Sequence, residues 1–126
     1  MRYALAIVAA CALAFAWPAD AQHAHGSKGP NGGQIEDVAG VHAELLTSGN
    51  TITINIFDEG NKPVATNGFT ASALVVRGSE RETLALAPAA ENALKGDAKK
   101  PVGAGATITV TLKTAGGKSG QARFKP

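Results

Sequence analysis

The chain has one cysteine, one tryptophan and one tyrosine in 126 residues, and all three, Cys11, Trp17 and Tyr3, fall in its first 21 positions. Beyond that point there is no thiol, which excludes a disulfide framework, cysteine catalysis and a thiolate-ligated metal. The aromatics left there are Phe57, Phe69 and Phe124, so a core must be built from Ile, Val, Leu and Ala. Charge is also sparse: 12 Lys and Arg stand against 10 Asp and Glu, a net charge of +2. The basic residues never cluster beyond Lys99-Lys100. A nucleic-acid interface needs a basic face with stacking platforms, and neither is present, so no nucleic-acid partner is expected.

Catalytic signatures are missing too. No Gly-x-Ser-x-Gly turn and no phosphate-cradling Gly-x-x-x-x-Gly-Lys-[Ser/Thr] loop occurs, and the acidic pairs Glu36-Asp37 and Asp58-Glu59 are adjacent, so in a strand they would face opposite sides. A Ser-His-carboxylate triad would need a rigid histidine, and among the three histidines only His42 lies in a strand-like segment. The expectation is a protein that is not an enzyme.

What is present begins with an export signal. Residues 4–17 are almost wholly apolar after the cationic Arg2 and are followed by Pro18-Ala19-Asp20-Ala21, a small-x-small cleavage pattern. The apolar run is shorter than the roughly 20 residues of a transmembrane helix. Residues 1–21 are therefore expected to be a cleaved signal peptide, leaving a periplasmic or secreted protein with no membrane association. Val8-Ala9-Ala10-Cys11 resembles a lipobox, but the apolar stretch before Cys11 is short and continues past it to Trp17, which favours plain export.

After the signal, residues 22–32 read as a flexible arm, rich in glycine and histidine and broken by Pro30. Residues 33–126 then read as one domain of short strands. The clearest is 51–56, where Ile52, Ile54 and Ile56 share one face and Thr51, Thr53 and Asn55 the other. Strands are also expected at 35–38, 41–47, 70–77, 80–87 and 107–112, with a last one ending at Phe124. Gly and Asn turns separate them. Residues 88–101 fit one helical turn or one short strand. Seven or eight short strands at such spacing predict an all-β, antiparallel β-sandwich.

The candidate chemistry lies in the histidines. His23 and His25 sit two apart in the arm, and His42 and Glu44 sit two apart on a strand, hence on one face, with Ala43 and Leu45 on the other. A divalent or copper ion could collect His42 and Glu44 from the sheet and His23 or His25 from the arm, giving a weak, exchangeable site of nitrogen and oxygen donors. The plain alternative is that the arm histidines are solvated and that His42 belongs to an ordinary cross-strand pair.

Three stretches carry a resemblance: Gly29-Pro30-Asn31-Gly32-Gly33-Gln34-Ile35, then His42-Ala43-Glu44-Leu45, then Phe57-Asp58-x-x-x-Lys62-Pro63-Val64. Together they resemble the small domain found at the amino-terminal end of periplasmic adaptor subunits of heavy-metal efflux pumps and in stand-alone exported proteins. The resemblance implies an immunoglobulin-like β-sandwich in the envelope and a metal role for His23 and His25. The chain has no room for the helical hairpin, lipoyl and barrel domains of a complete adaptor. The function expected is an accessory to metal efflux or homeostasis, with an efflux component as a possible partner. The alternative is a non-catalytic structural or protein-interaction module of the envelope, with no metal.

Overall fold

The structure is a computed structural model that describes residues 27–126. Residues 1–26, which hold the stretch expected to be a signal peptide and His23 and His25, lie outside the described residues. Eight strands follow in chain order: β1 (Gln34–Val38), β2 (Val41–Ser48), β3 (Thr51–Phe57), β4 (Thr70–Arg77), β5 (Glu80–Ala89), β6 (Ala93–Asp97), β7 (Thr107–Lys113) and β8 (Ser119–Phe124). The described residues contain no helix.

Three two-residue turns set the hairpins. Ala39 and Gly40, with φ of 51° and 83°, have the paired positive φ of a type I′ turn and join β1 to β2 at Val38 opposite Val41. Gly49 and Gly78 take positive φ at the first turn position between β2 and β3 and between β4 and β5, where glycine avoids the steric cost of a Cβ. Each turn pins its register, and register decides which side chains face inward.

The strands pair in the order β1-β2-β3-β6-β5-β4-β7-β8, every neighbour antiparallel. β5 is the joint. Its residues 80–86 pair with β4, and Ala87, Pro88 and Ala89 pair with β6, so the ladder passes from one half of the molecule to the other without a break. The ends of the order come back together: a Cβ on Gly120 of β8 would lie 3.1 Å from the Ala39 nitrogen, and the Lys125 N–H donates to Gln34 Oε1 at 3.0 Å. The sandwich expected from strand spacing is thus corrected to one nearly closed, barrel-like sheet. Turn spacing counts strands, but it does not reveal that one ten-residue strand serves both halves.

The core fills the inside of this sheet. Ile52, Ile54 and Ile56 are fully buried with Ile108, Val110, Leu112 and Phe124, and Ala73, Val75, Leu86 and Leu94 complete the packing. Each large aliphatic side chain so buried contributes about 1.5–3 kcal/mol. Residues 88–101 resolve in favour of a strand, β6, inserted between β3 and β5. Gly96 permits the close approach, since a Cβ there would stand 2.6 Å from the Ala85 carbonyl oxygen.

Candidate functional site

Glu44 and His42 occupy alternate positions of β2 and share its outer side, as their spacing requires, yet their surroundings differ. The Glu44 side chain is fully buried. Its Oε2 accepts the backbone N–H of Asn31 at 2.8 Å and that of Gly33 at 2.9 Å, and its Oε1 accepts Asn31 Nδ2 at 2.9 Å. Three donors aimed at one carboxylate make charge-assisted bonds, stronger than neutral ones, and they meet the cost of taking the group out of water.

The loop that supplies those donors is shaped around the carboxylate. Gly29 N–H donates to the Gly33 carbonyl at 2.7 Å, Gly32 N–H to the Gly29 carbonyl at 3.0 Å, and Ile35 N–H to the Ser27 carbonyl at 3.0 Å. A Cβ on Gly29 would come within 2.5 Å of the Glu44 carboxyl group, and one on Gly33 within 2.1 Å of the Leu45 carbonyl oxygen. Gly29 and Gly33 therefore let the backbone close over Glu44, and Gly32 between them supplies a positive φ of 82°. Residues 27–32, expected in a flexible arm, fold onto β1 with Lys28 bridged to Gln34.

His42 lies opposite Asp37 in the β1–β2 register. Its Nδ1 meets Asp37 Oδ1 within hydrogen-bonding reach. The two remain accessible, with side-chain exposures of 27% for His42 and 83% for Asp37, so the imidazole can still receive a ligand from solvent. Beside it is a shallow depression of about 170 Å³ walled by Asp37, Gly40, Val41, His42 and Glu59. Glu59 is carried by a turn that Asp58 organises: Asp58 Oδ1 accepts the N–H groups of Gly60 at 2.9 Å and Lys62 at 3.0 Å.

Of the four residues expected to bind metal, the structure therefore places His42 at an open surface and Glu44 under a loop, its oxygens occupied by Asn31 and Gly33. His42 and Glu44 are not brought together on one exposed face. Asp37, which the sequence reading left out as a partner of His42, is the carboxylate that contacts it. The signal for that pairing was the Ala39-Gly40 turn, because a two-residue hairpin fixes Asp37 opposite His42. Among the described residues, no three His, Cys, Asp or Glu side chains form a group able to hold a metal ion.

The other charged cluster pairs internally. Arg77 Nη2 lies 3.6 Å from Glu82, Lys100 Nζ lies 2.9 Å from Glu80, and the Glu82 carboxylate accepts the Lys99 N–H at 2.9 Å. The hydrogen bond from Lys100, and then its charge, hold the Glu80 carboxyl below the usual carboxylate range. These contacts tie the β4–β5 hairpin to the segment after β6. Between β1 and β8 runs a groove of about 710 Å³, lined by Gln34 and Glu36 on one side and Gln121 and Arg123 on the other. No family model, no curated protein and no solved structure matches the chain, so its function must be argued from these residues.

Proposed function

We propose that this is an exported, non-catalytic protein that binds a copper or divalent ion weakly and exchangeably in the periplasm, as an accessory to metal handling. The observation that carries the reading is His42: an accessible imidazole held by a carboxylate at the rim of a depression. That is the arrangement in which histidine serves as a metal ligand. The resemblance to the amino-terminal domain of metal-efflux adaptors supports the same reading.

His25 and His23 supply the remaining nitrogens in this proposal. Ser27 pairs with Ile35, and Lys28 runs antiparallel to Gln34, so Ser27 lies nearer than Lys28 to the end of β1 that carries Asp37. His25 is two residues upstream of Ser27, and two residues span at most about 7 Å. Glu44 has no place in the ligand set, because recruiting it would strip Asn31 and Gly33 of their acceptor.

Calorimetric titration of the metal-free exported protein with Cu(II), Zn(II) and Ni(II) tests the proposal. Saturable binding is expected at about pH 7.5 and clear weakening at about pH 5.5, since protonated imidazole cannot coordinate and free histidine titrates near pH 6.5. His42→Ala and the double variant His23→Ala/His25→Ala should each lower affinity, and Glu44→Gln should not act through the ligands. If no saturable binding occurs below millimolar metal, the reading is wrong. The second reading, an interaction module without metal, then takes its place; the groove between the end strands β1 and β8 favours it.

A further inference from the structure

The metal reading leaves open which atom of His42 would bind and which carboxylate would stand beside the ion, and the geometry around β1 and β2 bears on both. Asp37 and His42 face each other across the last pair before the turn-closing pair Val38 and Val41. In a two-residue hairpin the closing pair exchanges hydrogen bonds, so the next pair is of the non-hydrogen-bonded kind, where side chains approach most closely. The Asp37 carboxylate takes Nδ1 of His42. A carboxylate is an acceptor, so the neutral imidazole keeps its proton on Nδ1 and presents the Nε2 lone pair.

Glu59 is the second element. It stands on the β3–β4 connection, two residues past Phe57, and Phe57 pairs directly with His42. The Asp58 hydrogen bonds to Gly60 and Lys62 hold that turn in shape, and Asn61 completes it with a φ of 59°. Glu59, on the turn after β3, and His42, on β2, therefore share one depression, whereas Glu44 is sealed beneath 29–33.

We infer that Asp37 is a positioning residue that makes Nε2 of His42 the donor atom, and that Glu59, not Glu44, is the carboxylate that accompanies the ion in the depression beside it. This rests on the metal reading above and deepens it. Two charges follow from the assignment: the ion meets the carboxylate of Glu59 directly, and it meets Asp37 only through the imidazole. Removing Asp37 should therefore lower affinity by loosening the ring, and removing Glu59 should lower it by loss of a ligand.

The test has a metal-free and a metal-bound arm, both by NMR on the exported protein. Without metal, at about pH 8.5, where free histidine is neutral, ring ¹⁵N shifts should report His42 with its proton on Nδ1. Asp37→Asn should give a mixture of tautomers, and Glu59→Gln should leave the tautomer unchanged. With substoichiometric Cu(II), paramagnetic broadening should centre on the amides of 40–42 and 58–60 and spare Asn31, Gly33 and Glu44. Asp37→Asn should weaken Cu(II) binding about tenfold or more, within the range for partners of ligating histidines.

The outcomes separate the two claims. A His42 proton found on Nε2 overturns the role of Asp37 even if Cu(II) binds. Broadening centred on Glu44, or untouched at 58–60, overturns the role of Glu59 while the metal reading survives. Absence of any Cu(II) binding overturns both the proposed function and this assignment.

Discussion

Glu44 and His42 are two residues apart on one strand and face the same side of the sheet, but one is interior and the other is surface. The difference comes from what lies over them. Residues 29–33 fold back across Glu44 and present three N–H groups to it, whereas His42 meets Asp37 and borders a depression open to solvent. Strand alternation assigns a side, and only the neighbouring chain decides whether that side is wet. A carboxylate can thus be a structural clasp at one position while the imidazole next to it stays free for a ligand.

The largest effect expected sharpens this contrast by moving a carboxylate to where no donors wait. Ile54 is fully buried in apolar surroundings, so Ile54→Asp should cost several kcal/mol and unfold a domain whose total stability is typically about 5–15 kcal/mol. Thr53→Asp, one position along on the outer side, should leave the fold intact; circular dichroism and denaturant titration would show both. Equal tolerance of the two changes would mean the register of β3 is wrong.

Next comes the clasp itself. Glu44→Ala leaves the Asn31 and Gly33 N–H groups without their acceptor, and a loss of about 3–4 kcal/mol is expected. Faster amide exchange at Gly33 should accompany it. Glu44→Gln keeps the shape but turns an N–H₂ toward donors, so it should fall between wild type and Ala. A smaller loss, about 1–3 kcal/mol, is expected for Gly33→Ala, because a Cβ would push into the Leu45 carbonyl. Gly32→Ala meets open space and carries only the penalty of its φ of 82°, about 1–2 kcal/mol; a Gly33→Ala variant as stable as wild type would show that the loop does not close over Glu44 as described.

The smallest effect belongs to the other end of the comparison. His42→Ala removes a partly exposed contact with Asp37, and surface pairs are worth about 0–1 kcal/mol, so thermal unfolding should shift little. A loss as large as that of Glu44→Ala would mean that His42 is a second clasp and not a free ligand.

Much of the fold was legible in the sequence because its strands alternate cleanly. The isoleucines of β3 and the Thr and Val pattern of β7 assign an inner face without knowledge of partners, and Gly49, Gly78 and Gly40 mark the turns. The joint in β5 was not legible: Pro88 looks like a strand breaker, yet it pairs with Leu94 at the point where β5 changes neighbours. Of the site, the residue types were visible and their company was not. His42 and Glu44 followed from spacing, but the fate of Glu44 depends on a loop more than ten residues upstream, and the partner of His42 depends on the turn type at Ala39-Gly40.

The placement of β6 between β3 and β5 has a consequence for how the chain reaches this state. The hairpins β1–β2, β2–β3, β4–β5 and β7–β8 form from neighbours in sequence, but the Thr51 hydroxyl meets Asp97 across 46 residues, and β4 must find β7 beyond β6. Loop entropy has to be overcome before those contacts return anything, which places such topologies among the slow folders, at milliseconds to seconds. Refolding should thus be governed by the meeting of β3 with β6, and the edge that carries Asp37 and His42, being a local hairpin, forms independently of that slow step.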